Sequence, residues 1–294
     1  MNGNKSITLV FGAYFSHKHI YRICKNINKK FKIIVVENSL DKKFKKDIEK
    51  KFKNTKVIIP KENVGLAKSF NIGIKNSKTK YVYLNCPDMA ISNKSINDLI
   101  DCAEKLKSFC ILAPNYKDTS NFNNYVGNEY VLQETPSKIL KYRLKKVDFI
   151  DNSFLMLTKK AKKYLFDEKY FLYSETMDFC FQLKKFNEKS YVSDKIRFKH
   201  YVSDSVDKKY SLLSKLTRAW HYNWSKFYYF KKNFSYLYAL KKFIPILLKL
   251  LLKYIFKFFN SKKNQEKYLI KAEINGALSS IFLKKPSYRP FKKK

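Results

Sequence analysis

The chain has 294 residues, enough to bury one large core or one core with an extension, and 62 Lys and Arg against 24 Asp and Glu give it a net charge of +38. Such a charge suits nucleic acid or an anionic membrane surface, but arginine stands only at Arg22, Arg143, Arg197, Arg218 and Arg289. Base edges and phosphates are read mainly by the planar Arg fork, so the lysine excess is taken as compositional bias and a nucleic-acid partner is disfavoured.

Cysteines at positions 24, 86, 102, 110 and 180 form no CxxC pair, which excludes a zinc knuckle or a disulfide framework and fits a reduced, cytoplasmic compartment. No apolar leader run precedes the first strand-like segment, and a protein that is not secreted is expected.

The predicted elements alternate in the first half. Ile7 to Phe11, Lys32 to Val36, Lys56 to Ile59, Tyr81 to Leu84 and Cys110 to Leu112 have the apolar, β-branched character of buried strands. Tyr21 to Phe31, Phe44 to Phe52, Leu66 to Asn76 and Ile96 to Lys107 have helical periodicity. The alternation predicts an α/β fold with a mostly parallel sheet flanked by helices, whose ligands bind at the carboxyl ends of the strands. A polar loop, Asn115 to Gly127, precedes an expected strand at Phe149 to Leu157, a helix from near Glu175, and a short β run at Lys195 to Tyr201. After Ser205 the composition changes, with no acid between Asp207 and Glu266. We therefore divide the chain into a domain at 1–205 and a basic, aromatic-rich helical extension at 206–294.

Several polar residues fall at strand ends. Glu37 and Asn38 follow the second strand, where they serve either a nucleobase and ribose or a simple turn cap. Asn63-Val64-Gly65 opens a helix whose free N–H groups suit a diphosphate, with Asn71 two turns along; an Asn cap and a packing glycine would look the same. Pro87 presents Asp88 just past an apolar strand, where a carboxylate is costly unless it meets solvent or a cation. Glu175 and Asp178, three apart on one helix face, suit acid–base work or a helix start. His200 follows a strand and suits a further metal position.

In their order and spacing these landmarks resemble family 2 glycosyltransferases of the GT-A fold, particularly a rhamnosyltransferase-like branch. They run from Ile33-Ile34-Val35-Val36-Glu37-Asn38 through Glu62-Asn63-Val64-Gly65, Asn71-Ile72-Gly73 and Leu84-Asn85-Cys86-Pro87-Asp88. Beyond these come Phe166 to Tyr173, Glu175-Thr176-Met177-Asp178, and His200 with Ser203 and Ser205. The resemblance implies a nucleotide-sugar donor bound across Tyr14, Glu37, Asn38, Asn63, Gly65, Asn71, Pro87 and Asp88. It implies Mg²⁺ or Mn²⁺ held by Asp88 and His200, and a catalytic carboxylate at Glu175 or Asp178 that deprotonates a glycan or lipid-linked glycan acceptor with inversion. Two positions depart from the family pattern. Thr176 replaces the usual catalytic acid, which shifts the expected base to Glu175, and Cys86 leaves one acid in place of an Asp-x-Asp pair.

In the extension, Lys249, Lys253 and Lys257 form one stripe on the otherwise apolar run 243–259. At about 1.5 Å per residue this run is too short for a hydrocarbon core of about 30 Å. A helix lying on the inner face of the cell membrane is expected instead, with packing on the domain or in a homo-oligomer as the alternative. The competing functions are an anionic-surface or nucleic-acid binder and an inactive transferase-fold assembly partner.

Overall fold

The computed structural model describes residues 7–106, 108–116, 124–126, 129–130, 141–200, 206, 210–260 and 264–289, the side chains of 129–130, 199–200, 258–260 and 264 excepted. Much of the expected loop at 115–127 and the boundary near 205 lie outside these residues. The strands alternate in what they face. In β1 (Ile7–Ala13), Ile7, Leu9, Phe11 and Ala13 join one apolar cluster while Val10 joins the other, and in β4 (Tyr81–Asn85) Tyr81 and Tyr83 oppose Val82 and Leu84. A strand apolar on both faces must be covered on both. The cover on one side is α1 (His17–Asn26), α2 (Lys42–Lys51) and α4 (Asn93–Lys105). On the other side lie α3 (Gly65–Asn76), α5 (Thr158–Lys163) and α6 (Glu175–Lys185). Helix α3 approaches β1 so closely that a Cβ at Gly73 would stand 2.1 Å from Val10 Cγ1.

The remaining strands are β2 (Lys32–Glu37), β3 (Thr55–Ile58), β5 (Met89–Ala90), β6 (Ile111–Asn115), β7 (Tyr125–Val126), β8 (Glu129–Tyr130), β9 (Leu144–Lys146), β10 (Phe149–Ile150), β11 (Phe154–Leu157), β12 (Ser190–Arg197) and β13 (Lys199–His200). Nine of the thirteen described strands form one sheet in the order β3-β2-β1-β4-β11-β6-β12-β9-β8. The first four pair in parallel as expected, but β11 enters antiparallel between β4 and β6, so the whole sheet is mixed. Strand order reverses between β1 and β4, which opens a crevice past their carboxyl ends.

The single strand expected over 149–157 is broken at 151–153. There Asp151 N donates to Asn124 O (2.7 Å) and Asn152 N to Asp151 Oδ1 (2.8 Å), which takes these amides out of the sheet ladder.

The extension is helical: α7 (Ser211–Asn233), α8 (Tyr236–Asn260) and α9 (Asn264–Ile281). Helices α7 and α9 pack so tightly that a Cβ at Gly276 would meet Trp220 O at 2.0 Å. Trp224 Nε1 donates to Lys284 O (2.9 Å), and Ser280 Oγ donates to Trp224 O (3.0 Å). The extension is also tied to the sheet domain, because Ser225 Oγ donates to Leu172 O (2.8 Å) and Gln182 Nε2 to Asn233 Oδ1 (2.7 Å). Among the described residues no helix is long and apolar enough to cross a membrane.

Candidate active site

The crevice at the β1/β4 reversal is a cavity of about 400 Å³. It is lined by Gly12 near the end of β1, by Tyr14 and Ser16 just after that strand, and by Asn38 just after β2. One wall is the turn Cys86-Pro87-Asp88 after β4, fixed by Met89 N donating to Cys86 O (3.2 Å). Opposite lie Asn63, Gly65 and Leu66 at the start of α3, and the segment Phe171-Leu172-Tyr173 with Glu175. The break at Asp151-Asn152 adds polar groups beside Tyr116, whose hydroxyl donates to Asn152 O. Ser214, Thr217 and Arg218 of α7 line the cavity, so the extension supplies part of its wall.

Local backbone geometry delivers Glu175. Tyr173 and Ser174 hold φ of 69° and 59°, two successive left-handed residues before α6, each costing on the order of 1–3 kcal/mol. They turn the chain so that the first residue of α6 faces the cavity, buried at 5% exposure. Glu175 Oε2 has no hydrogen-bond partner among the described residues. Burial, with a smaller contribution from the negative charge of Asp151, pushes its carboxyl up to about 7. Such a group ionises near neutrality and can accept a proton there.

The cavity gathers charge on both sides. Burial raises the Cys86 thiol well above its ordinary value, and Asp88, Asp151 and Glu175 raise it further while Arg218 lowers it. Three carboxylates and one guanidinium therefore act on a single position at the end of β4. The Tyr173 hydroxyl is raised by burial, with Arg218 opposing and Glu175 and Asp151 adding to the effect. The guanidinium of Arg289 lies 3.3 Å from the centre of the Phe171 ring, which binds the chain end to the cavity wall.

Of the residues singled out in the sequence, the structure brings together Tyr14, Asn38, Asn63, Gly65, Pro87, Asp88 and Glu175. It places three others differently. Asp178 is 2% exposed but turns toward the extension, accepting from Lys232 Nζ at 2.7 Å and Asn233 Nδ2 at 2.8 Å; it does not line the cavity. Glu37 is fully buried and does not line the cavity; its Oε1 accepts from Ser39 N (2.7 Å) and Oε2 lies 3.6 Å from His17 Nε2. Asn71 also lies outside the cavity. It clamps the 166–168 segment, donating to Phe166 O (2.9 Å) and Glu168 Oε1 (3.1 Å) and accepting from Phe166 N (2.9 Å). The side chain of His200 lies outside the described residues, although β13 pairs with β5 so that position 200 stands opposite Met89, next to Asp88.

Two further residues have different work from that expected. Gly65, at φ 77°, lets the protein itself approach closely: a Cβ there would lie 2.2 Å from Phe171 O, which accepts from Leu66 N at 2.8 Å. Asn38 braces the α3 start, accepting from Val64 N (3.0 Å) and donating to Ser69 Oγ (2.9 Å).

Asp151, Tyr116 and Arg218 were missed in the sequence. An acid inside the apolar run 149–157 and one of five arginines among 62 basic residues were the available signals.

For a divalent ion the donor set is sparse. Among the described residues no three His, Cys, Asp or Glu are grouped to hold one. Asp88, with Asp151 in the same cavity, fits a hard cation that takes its remaining oxygens from phosphates and water, the usual habit of Mg²⁺. The negative charges of Asp88 and Asp151, both felt at Cys86, favour such an ion.

A sequence model of glycosyl transferase family 2 matches residues 17–168. A search of curated proteins finds no match. Among solved structures, the mannosyltransferase PcManGT from Pyrobaculum calidifontis, in complex with GDP-Man and Mn²⁺, superposes with a TM-score of 0.53 at 10% identity over 95% of this chain and 88% of its own. GalNAc-T7 with UDP, GalNAc and Mn²⁺ superposes with a TM-score of 0.51 at 12% identity over 66% of this chain. This chain spans 43% of the GalNAc-T7 chain. The shared architecture is the GT-A fold.

Proposed function

Because the chain belongs to glycosyl transferase family 2, we propose that the cavity transfers a sugar from a nucleoside-diphosphate donor to an acceptor hydroxyl, with inversion at the anomeric carbon. The observation that carries this is the pairing, in one cavity, of Asp88 at the end of β4 with a buried Glu175 poised near pH 7. Tyr14 and Asn63 line the donor side together with the first turn of α3, whose Val64, Gly65 and Leu66 amides bond Asn38, Asn63 and Phe171 and so hold the helix start in place. Asp88 and Asp151 would hold the divalent ion, which when bound neutralises charge that builds on the departing diphosphate. Arg218 faces the same region and adds a fixed positive charge.

Glu175 is the base. Its carboxylate takes the proton from the acceptor hydroxyl as that oxygen forms its bond to the anomeric carbon. The bond from that carbon to the diphosphate breaks, and its electron pair leaves with the nucleoside diphosphate. One displacement with one base inverts the configuration. Thr176 is 3% exposed and adjacent, and its hydroxyl cannot serve as the base at neutral pH. A deoxyhexose or hexose donor suits the rhamnosyltransferase-like landmarks of the sequence.

The test is Mn²⁺-dependent release of nucleoside diphosphate from a panel of nucleotide sugars. Asp88→Ala is expected to abolish Mn²⁺-dependent release with the unfolding midpoint retained. Turnover unaffected by that substitution would overturn the assignment, and nucleotide binding without turnover of any donor would indicate an inactive assembly partner.

The acceptor side points to a membrane surface. Along α8, Leu237, Ile244, Leu248, Leu252, Ile255 and Phe256 are exposed, with Lys249, Lys253 and Lys257 on the same helix. An apolar strip with lysines beside it matches an anionic leaflet, where a lipid-linked glycan would be met. Flotation with vesicles containing anionic lipid, and its absence with neutral vesicles, is the expected result. Equal recovery with both vesicle types would remove the charge argument.

A further inference from the structure

We propose that Tyr173 and Tyr222 form a sugar-binding subsite at the rim of the active-site cavity, and that the acceptor received there is a glycan held through a pyranose ring. Calling that sugar an acceptor rests on the transferase function proposed above; the subsite itself does not.

Space requires such a place. The cavity of about 400 Å³ is at the small end of ligand sites, which run from about 300 to 1,000 Å³, so a nucleotide sugar leaves little room beside it. An acceptor must therefore reach Glu175 from the rim. Ser214 and Arg218 of α7 line the cavity four residues apart, and Tyr222 is the next position on that stripe of the helix. It stands about 6 Å past Arg218 along the helix axis, close to the width of one sugar ring. Tyr222 is 49% exposed, and its ring meets that of the cavity-lining Tyr173 edge to face, at 5.5 Å and 81°.

The backbone is built to present Tyr173. Its φ of 69° is an outlier for so bulky a side chain, and such a conformation persists only where neighbours over-determine it. Ser225, three residues after Tyr222 on α7, supplies part of that constraint by donating to Leu172 O (2.8 Å). The Tyr173 hydroxyl feels the charges of Arg218, Glu175 and Asp151, yet it makes no hydrogen bond among the described residues. A half-buried hydroxyl left open beside the base calls for a partner from outside the protein.

The surroundings suit a sugar better than a lipid. A pyranose has a face of C–H groups and a rim of hydroxyls. The negative face of an aromatic ring attracts the C–H groups, while Tyr173, Arg218 and Lys226 offer donors to the hydroxyls. Lys226 Nζ lies 5.6 Å from the centre of the Tyr222 ring, near the outer limit of about 6 Å for a cation–π contact. A ligand on the ring displaces that flexible ammonium and gives it a hydroxyl to bond. A prenyl chain would instead meet the apolar strip of α8.

Saturation-transfer NMR on the full chain, without nucleotide or divalent ion, reads the subsite through a panel of methyl pyranosides. At least one glycoside is expected to bind, with transfer strongest to its ring C–H protons. Tyr222→Ala and Tyr222→Leu are each expected to weaken it about tenfold, the scale of one lost aromatic stacking partner, and Tyr222→Trp to retain it. Tyr173→Phe, which keeps the ring and loses the hydroxyl, is expected to weaken it several-fold. Binding of no glycoside, or equal binding in the parent and Tyr222→Ala, overturns the subsite. Full binding in Tyr222→Leu, which keeps apolar area without a ring, overturns it as well.

Transfer then tests the acceptor role. Tyr222→Ala is expected to raise the glycoside KM about tenfold with a smaller change in kcat, and to divert released sugar from glycoside to water. An unchanged partition between glycoside and water overturns the acceptor role, as does a sugar-free prenyl phosphate accepted in preference to every glycoside. If no donor is turned over, the transferase function and the acceptor role fall together, while sugar binding stands or falls on the NMR result.

Discussion

Glu175→Gln separates the demands of folding from those of catalysis. The carboxyl is buried at 5% exposure, and its ionisation is pushed from an ordinary 4.5 to about 7 by burial and by Asp151. At about 1.4 kcal/mol for each tenfold change in a proton equilibrium, the folded protein bears roughly 3 kcal/mol for keeping this carboxylate ionised. The sign follows from the raised value. Below pH 4.5 both folded and unfolded chains hold the proton and the cost vanishes; it grows as pH rises from 4.5 to about 7 and is constant above that.

Gln keeps the shape and removes the charge. Urea unfolding should therefore find Glu175→Gln more stable than the parent by about 3 kcal/mol at pH 8.5, with the gap closing as pH falls toward 4.5. Sugar transfer should fall by about 10²–10⁴-fold in the same variant. The parent's transfer rate should rise with pH up to about 7 and then level, and Asp151→Asn, which also removes a residue assigned to the divalent ion, should lower the rate and move its rise to lower pH because one negative neighbour is gone. A variant less stable than the parent at pH 8.5, or one that retains full transfer, would refute the assignment of a buried base at this position.

Asp178→Asn is expected to leave the shape of the pH–rate profile unchanged and to cost about 1.5–3 kcal/mol of stability, because Lys232 loses one of its two carboxylate partners and keeps Asp167 at 2.8 Å; a shift of the profile instead would return Asp178 to the chemistry. Gly65→Ala meets Phe171 O at 2.2 Å in a backbone with φ 77°, and a loss of about 2–4 kcal/mol in urea unfolding is expected, with a midpoint within experimental error of the parent arguing against this packing. Asn38→Ala should loosen the start of α3 through two lost hydrogen bonds, costing about 1–3 kcal/mol and raising the donor KM more than it lowers kcat.

The strands that build the crevice were legible because each is a short, continuous apolar run, a pattern carried by neighbouring residues. Glu175 was legible through its place beside Asp178 and an aromatic segment, but the division of labour between the two was not. Both lie on the first turn of α6, and what separates them is which neighbours approach from elsewhere: Lys232 and Asn233 from α7 neutralise one, while Tyr173 and Ser174 turn the other toward the cavity. Asn71 and Glu37 have the residue types of a donor site and stand near it in sequence, yet their side chains bond protein. A polar side chain at a strand end signals that something must satisfy it and does not say whether that partner is ligand or backbone.

The amino-acid order determined the alternation of strands and helices, the apolar faces, and a lysine-striped basic extension, since each depends on spacing along the chain. Tertiary structure decided the antiparallel entry of β11, the meeting of Asp151 and Arg218 with Asp88, and the contact of Tyr222 with Tyr173. These contacts join residues scores of positions apart, and the free energy that selects them comes from burial and charge in the assembled fold, which no local run of sequence contains.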